Sequence, residues 1–371
     1  MDFDLNDEQR LLRDSVERLI ADRYGFEVRR GFMAAADGWS RDNWARFAEL
    51  GLLGLPFSGE AGGFGGGAVE IALVMEAFGR GLVVEPYLAT VLLAGRLLEA
   101  AGERAMVGRI AAGELLAAVA HMERHSGWDL AKVSTQALAE GEAWRITGKK
   151  SLVLHGDCAD MLLVTACHAG GAREGIGLFQ VVADAPGVLR RGMATQDGLR
   201  VAEVTLEQAP ARLLTLPGEP LAVLERVRDQ AIAALCAEAV GVMAQMHAIT
   251  LDYLKTRKQF GRAIGEFQVL QHRAVDMYVA LEQARSMALY ATLMAEEADA
   301  ATRASAISAA KVQIGRSGRL IGQEAVQLHG GIAMTMEYKV GHYFKRMTMI
   351  EEMFGSTDEH LERVAAAESI L

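Results

Sequence analysis

Residues 256–277 read TRKQFGRAIGEFQVLQHRAVDM. A long helical pattern closes at their start in a basic cluster, Lys255, Arg257 and Lys258. Phe260 and Gly261 follow, and a second long helical pattern begins near Glu266. Two readings fit this punctuation. Cations complement the negative end of a helix, and glycine commonly follows the last helical residue. Cations beside a glycine that bares its backbone also make a grip for phosphate. The helix-end reading is the simpler of the two on these residues alone.

The flanks are built from long amphipathic helices. Leu224, Val227, Ile232, Leu235, Ala239 and Val242 recur at helical spacing before the stretch. Leu270, Ala274, Met277, Leu281 and Ala284 do so after it, and Ile307, Ala310, Ile314 and Ile321 mark a third helix ending near His329. Small residues among them allow close packing, and a four-helix bundle over residues 214–371 buries all of these faces. Arg303, Lys311, Arg316 and Arg319 recur along one helix and read as a solvated or interface face.

Upstream the texture changes twice. Residues 117–213 carry short runs rich in Val, Ile, Leu and Thr: Ala117–Met122, Ala143–Thr147, Ser151–His155, Met161–Thr165, Ile176–Val182 and Val201–Leu206, with Gly148 and Gly156 between runs. That spacing predicts a small antiparallel barrel or sandwich. Residues 1–116 are helical again, opening with Asn6 as N-cap and Gln9 as its capping-box partner. Gly62–Gly67, GGFGGG, contains G-x-G, but no βαβ unit surrounds it, so a turn is the better reading than a dinucleotide fingerprint. The fold class is therefore mixed and mainly α: N-terminal helical domain, middle β-barrel, C-terminal four-helix bundle.

Composition narrows the function. The 371 residues are 51% apolar, enough for several domains with a sizeable core. Lys plus Arg is 38 against 48 Asp plus Glu, a formal charge of −10, which argues against nucleic-acid binding but leaves room for a local basic pocket. Cys158, Cys167 and Cys236 have no metal spacing, there is no HExxH, and no metal is expected. Scattered cysteines and an acidic N-terminus fit a reducing cytoplasm better than secretion. No apolar run approaches about 18 residues, so no membrane span is expected. The histidines lack a nearby G-x-S-x-G elbow, which leaves a hydrolase reading without support.

In domain order and length the chain resembles the flavin-dependent acyl-CoA dehydrogenase family throughout. Three separated motifs carry the likeness. They are RKQFG…FQ within Arg257–Met277, with Val275 where alanine or leucine is usual; QLHGG at Gln327–Gly331 with MEYKVGHYFKR at Met336–Arg346; and LNDEQRLLRDSV at Leu5–Val16 with the EAGGFGGG turn at Glu60–Gly67. Within the family the chain looks most like the small subunit of bacterial heteromeric enzymes such as pimeloyl-CoA dehydrogenase.

The resemblance implies FAD and the oxidation of an acyl-CoA to a trans-2-enoyl-CoA. A carboxylate takes the α-proton, working best when burial raises its pKa, and a hydride leaves the next carbon for the flavin. It also implies a dimer or tetramer, and an electron-transfer flavoprotein as partner. In homomeric members the ADP half of each FAD is held by a neighbouring subunit. The matching positions are Arg257 for the pyrophosphate, Phe260 for apolar contact, Gln268 for polar contact to the adenosine half, Gln259 and Ile264, and Gln327, Gly330 and Gly331, whose glycines admit a close approach. Thr357 matches a further cofactor-binding position.

The positions that would receive the chain's own flavin depart from the family. Leu152 and Leu154 stand where Trp and Thr are usual, and Leu donates no hydrogen bond. The loop that usually reads TEPGAGSD is MERHSGWD, with Met122 and Trp128 at the hydroxyl positions. The usual Tyr/Phe-Glu-Gly-Thr motif is Phe354-Gly355-Ser356-Thr357, so Gly355 occupies the base position; an alternative base position falls on Ala231. The leading expectation is a non-catalytic subunit that lends contacts to FAD in a homologous large subunit carrying the glutamate. Two alternatives stay open. One is a homomeric enzyme with a base displaced to Asp358, Glu359, Asp229 or Glu352, although Asp358 reads more simply as the cap of a helix Glu359–Ala367. The other is an acyl-CoA-binding scaffold without activity. A dicarboxylyl-CoA substrate would call for a cation at the end of the acyl pocket, and no single arginine is marked out for it.

Overall fold

The computed structural model describes residues 5–141, 143–168 and 175–367; residues 1–4 and 368–371, the outer ends of the expected first and third domains, lie outside it. Its helices are α1 (Asp7–Arg23), α2 (Phe26–Ala34), α3 (Arg41–Glu49), α4 (Ala68–Gly81), α5 (Arg96–Ala100), α6 (Arg104–Ala111), α7 (Pro220–Thr256), α8 (Gln268–Met294), α9 (Ala300–His329), α10 (Lys339–Glu352) and α11 (Thr357–Ala367). Its strands are β1 (Ala117–Ala120), β2 (Gln136–Glu140), β3 (Ala143–Leu154), β4 (Met161–Cys167), β5 (Ile176–Val182), β6 (Val188–Ala194), β7 (Arg200–Leu214), β8 (Lys258–Gln259) and β9 (Arg262–Ala263). The chain divides into two compact units: Met1–Arg30, Ala68–Val83 and Ile232–Leu371, and Gly31–Gly67 with Val84–Ala231.

In the helical unit, Asn6 and Gln9 complete the expected capping box of α1. Glycines then set how closely the helices cross. A Cβ on Gly79 would lie 2.0 Å from the Glu238 carbonyl oxygen, and one on Gly241 would lie 2.0 Å from that of Glu76, so α4 and α7 touch backbone to backbone. On α9, Gly315, Gly318 and Gly322 share one face and receive Thr357, Met347 and Phe344. The row of cations on α9 is not a solvated face. Arg303 and Lys311 are 3% and 1% exposed, and only Arg316 and Arg319 reach solvent. Charge periodicity does not reveal that Lys311 Nζ has carbonyl partners at Glu351 (2.8 Å) and Gly355 (3.0 Å). Among the described helices α7 is long and apolar enough to cross a membrane, but 83% of that window is buried inside the protein, as in a core helix.

The second unit holds the barrel. Strands β4, β2, β3, β7 and β5 follow one another around a closed ring, because β4 also pairs with β5; β1 joins β4 and β6 joins β7. Ile146, Leu162, Val164, Phe179 and Val204 fill the inside. The sheet is not wholly antiparallel, since β1 runs parallel to β4. Strands β2 and β6 were not expected. Their residues are nearly all exposed or half-exposed, so they carry little apolar alternation and are held by ladders to β3 and β7. The two runs expected around Gly148 are one strand, β3. Gly148 lies inside it because a Cβ there would meet Thr135 Oγ1 at 2.5 Å.

Candidate functional site

The stretch 256–277 does leave α7 at a basic cluster, but it continues into a hairpin, with β8 paired to β9. Phe260 and Gly261 form its two-residue turn at φ 53° and 80°, the backbone of a type I′ turn. Glycine adopts this freely and phenylalanine does not, so the flanks hold it. The Arg257 N–H donates to Tyr253 O (2.8 Å), the Ile264 N–H to Arg257 O (2.9 Å) and Gln271 Nε2 to Gly265 O (2.8 Å). Arg262 lies over the Phe267 ring, 4.4 Å from its centroid. Phe260 is 89% exposed at the tip; Arg257, Gln259 and Gln268 are exposed and Ile264 is half-buried.

The second motif meets the end of α7, just ahead of the first motif, through His329. This residue ends α9, is 4% exposed, and lies between the rings of Tyr253 (4.4 Å) and Tyr338 (5.3 Å). Its Nδ1–H donates to Ala325 O (2.8 Å), and burial holds its pKa below the ordinary value. Gly330 turns the chain at φ 67°, ψ −146°, and a Cβ on Gly330 or Gly331 would meet nothing within 4 Å. Gln327, Gly330 and Gly331 are exposed. Exposed Arg257 and the unobstructed Gly330 and Gly331 have the chemistry that a diphosphate requires, so this half fits the ADP portion of FAD.

Thr357 belongs to another place. It is 8% exposed, packs its Oγ1 against Gly315, and donates its N–H to Glu351 Oε1 (3.3 Å). Gly315 precedes His329 by fourteen residues, about 21 Å along the same helix. At the expected base position Gly355 has φ 117°, and a Cβ there would lie 3.1 Å from His360 Nε2 and 3.5 Å from Glu359 Oε2. A side chain here would be strained at that φ and would need His360 to give by a few tenths of an ångström. Two of the displaced bases, Asp229 and Glu359, are engaged. Asp229 is 2% exposed and 3.0 Å from Arg228. Glu359 Oε2 accepts the Ser356 N–H (2.7 Å), and Ser356 Oγ accepts the Glu359 N–H (3.4 Å). This pair, not Asp358, caps the last helix, which starts at Thr357. Burial and then the neighbouring Glu351 raise the pKa of Glu352. Ala231 is 1% exposed.

The loop and strand that would receive a flavin do come together, with β7, around a cavity of about 560 Å³. Its floor is an ion pair that sequence reading missed. Lys150 Nζ is 2.7 Å from Glu123 Oε1, with side chains 0% and 3% exposed. Glu123 also accepts from the N–H groups of Ser134 (3.0 Å) and Thr135 (3.1 Å), from Thr135 Oγ1 (2.7 Å) and from the Ser134 hydroxyl. Burial would raise the Glu123 carboxyl, but Lys150 and the hydroxyls prevail and hold it at about 2. Burial draws Lys150 down to about 8 against the pull of Glu123. Burial, then the Lys150 charge, lowers His121 to about 4. No spacing rule links positions 123 and 150, so the pair had no signal in the sequence. Leu152, in the β3 bulge at φ 48°, is 45% exposed, and Leu154 is half-buried. Neither offers a donor to a flavin ring, so this half does not fit the isoalloxazine as the lending half fits the ADP.

Family models match the chain as the N-terminal, middle and C-terminal domains of acyl-CoA dehydrogenase, over residues 6–109, 118–209 and 225–368. The chain belongs to the acyl-CoA dehydrogenase family of FAD-dependent oxidoreductases. The acyl-CoA dehydrogenase IpdE2 of Mycobacterium tuberculosis is 30% identical to it over 365 residues, 96% of each chain. A solved steroid acyl-CoA dehydrogenase, named as a Tcur3481-Tcur3483 pair, matches with TM-score 0.88 and 29% identity over 98% of both chains. PigA, solved with FAD and proline, matches with TM-score 0.90 and 25% identity over 100% of both.

Proposed function

We propose that this chain is the non-catalytic subunit of a heteromeric FAD-dependent acyl-CoA dehydrogenase, of the kind represented by the small subunit of pimeloyl-CoA dehydrogenase. The observation that carries the reading is Gly355: it brings no carboxylate to the base position, and its φ of 117° with His360 close by makes any side chain there strained. FAD, when bound, supplies the hydride acceptor. This chain's part is to hold the ADP end of a cofactor seated mainly in a homologous large subunit. Arg257 neutralises the diphosphate, Gly330 and Gly331 let backbone approach it, and Phe260, Ile264, Gln259, Gln268 and Gln327 contact the adenosine half. Thr357 acts apart from this group. The partner supplies the glutamate, and an electron-transfer flavoprotein takes the electrons. The likeness to a steroid acyl-CoA dehydrogenase supports a bulky, steroid-derived acyl-CoA over a dicarboxylyl-CoA.

The test is co-purification with a homologous chain that carries the intact motif, followed by the ratio of flavin to chain. One FAD per pair of chains is expected, and Arg257→Ala lowers flavin retention. Full flavin occupancy with turnover by this chain alone overturns the reading.

A further inference from the structure

His342 is a buried imidazole whose two nitrogens are each fixed by a different element. It lies in the first turn of α10 and is 3% exposed. Its Nδ1 is 3.4 Å from Arg29 Nη1, and its Nε2 is 3.1 Å from Met336 O. A guanidinium only donates and a carbonyl only accepts. Nδ1 therefore accepts from Arg29, and Nε2 carries the hydrogen donated to Met336. Only the neutral ring does both. Arg29 lies on α2, is buried, and donates its Nε–H to Leu82 O (2.6 Å) just beyond α4, where Leu82 stands at φ 53°. Met336 lies in the segment that joins Gly331 to α10. Ile332, Met334 and Met336 are exposed there. The segment is fastened to α10 by the His342 bond, by Lys345 Nζ 3.2 Å from Met336 Sδ, and at Gly341, where a Cβ would lie 2.7 Å from Ala333 O. Arg29, Leu82, Met336 and His342 all belong to the helical unit.

We infer that His342 is a positioning residue for Gly330 and Gly331, and that protonating it releases the segment after them. The inference rests on the subunit reading, since it concerns how this backbone is held towards the diphosphate. A proton on Nδ1 turns the acceptor into a second donor facing Arg29, so that contact breaks and the ring loses its set towards Met336. The charges acting on the ring are Arg29 and Arg30 of α2 and Lys345 of α10. Glu27 on α2 is 3.0 Å from Arg30, Glu76 is 2.7 Å from Arg80 on α4, and Glu337 beside Met336 is exposed. Burial and then these cations hold the His342 pKa below its ordinary 6.5, against the pull of Met336 O. The fastening is therefore complete above pH 6.5 and lost as pH falls through the folded value.

The test begins with the lone chain, where flavin plays no part. Hydrogen exchange of residues 332–338 is followed at about pH 8 and about pH 5, corrected for the intrinsic rate. Wild type loses protection roughly tenfold at the lower pH, the scale of one hydrogen bond. His342→Gln keeps an acceptor for Arg29 and a donor for Met336 but does not titrate, so its protection holds at both. His342→Ala is unprotected at both, and circular dichroism checks that it folds. His329, also buried near this segment, is common to all three, so its titration cancels. In the flavin-loaded complex, wild type releases FAD roughly tenfold faster at the lower pH, on the same scale. His342→Ala releases it fast at both and His342→Gln slowly at both. Equal pH dependence in wild type and His342→Gln overturns the inference. So does lost protection that leaves FAD release unchanged. The exchange measurement can fail while the complex still holds one FAD per pair of chains, so this inference and the subunit reading fail separately.

Discussion

His329 lies against Tyr253 with ring centroids 4.4 Å apart and planes 31° from parallel. That contact joins the end of α9 to the end of α7, and with them two motifs that stand some seventy residues apart in the chain. His329→Ala removes the middle ring of a three-ring stack and is expected to cost about 2–4 kcal/mol, on the scale of buried large-to-small substitutions. Gly331→Ala separates stability from function, because its Cβ would meet nothing. It leaves the melting temperature of the lone chain unchanged and lowers flavin retention in the complex. Scanning fluorimetry and flavin absorbance per chain check the two. Full flavin retention in both variants would count against the lending role.

Gly355→Glu puts a carboxylate where the family carries its base, yet it is expected to give no dehydrogenation. The backbone at φ 117° is one that side-chain-bearing residues rarely adopt. The added Cβ also presses on His360 Nε2 at 3.1 Å. A loss of about 2–4 kcal/mol is expected from strain and overpacking together. Urea unfolding measures the loss, and acyl-CoA turnover by the lone variant is the result that would refute it.

The Glu123–Lys150 pair is best probed by a double-mutant cycle. Glu123→Gln leaves a buried ammonium without its counter-charge and is expected to cost about 3–5 kcal/mol. Joint replacement by Glu123→Leu and Lys150→Met costs clearly less. The folded pKa of Glu123 lies below its ordinary value of 4.5, at about 2. Its contribution is therefore complete above pH 4.5 and lost as pH falls towards 2. The acid limb of wild-type unfolding should flatten in Glu123→Gln.

Glu85 has the opposite sign. It is 5% exposed, its Oε1 accepts from the Ser40 N–H (3.3 Å) and Asn43 Nδ2 (3.4 Å), and burial raises its pKa to about 8. The folded state prefers the proton, so stability falls as pH rises from 4.5 through about 8. Glu85→Gln should match wild type at pH 5 and exceed it at pH 9. Equal stability at both would show that the carboxyl is not held neutral.

The order of helices, barrel and helices was legible because each rests on a local period: 3.6 residues through Leu224–Val242 and Leu270–Ala284, and short β-branched runs at Met161–Thr165 and Ile176–Val182. The capping box at Asn6 and Gln9 was legible for the same reason, since both partners lie within one turn. The inert residue at position 355 could be read directly, as a matter of identity rather than arrangement. The rest needed the folded chain. Phe260 and Gly261 read as helix punctuation until the flanking hydrogen bonds held a phenylalanine at positive φ. Strands β2 and β6 have too little apolar alternation to announce themselves and exist by pairing. Lys311 and Arg303 follow a surface periodicity yet are buried, because carbonyl partners reach them from elsewhere in the chain. The Glu123–Lys150 pair and the Tyr253–His329 contact likewise depend on which distant groups share a desolvated space. A sequence carries its short periods in consecutive residues, whereas partners for buried charge and backbone strain are chosen only when packing brings remote segments within a few ångströms.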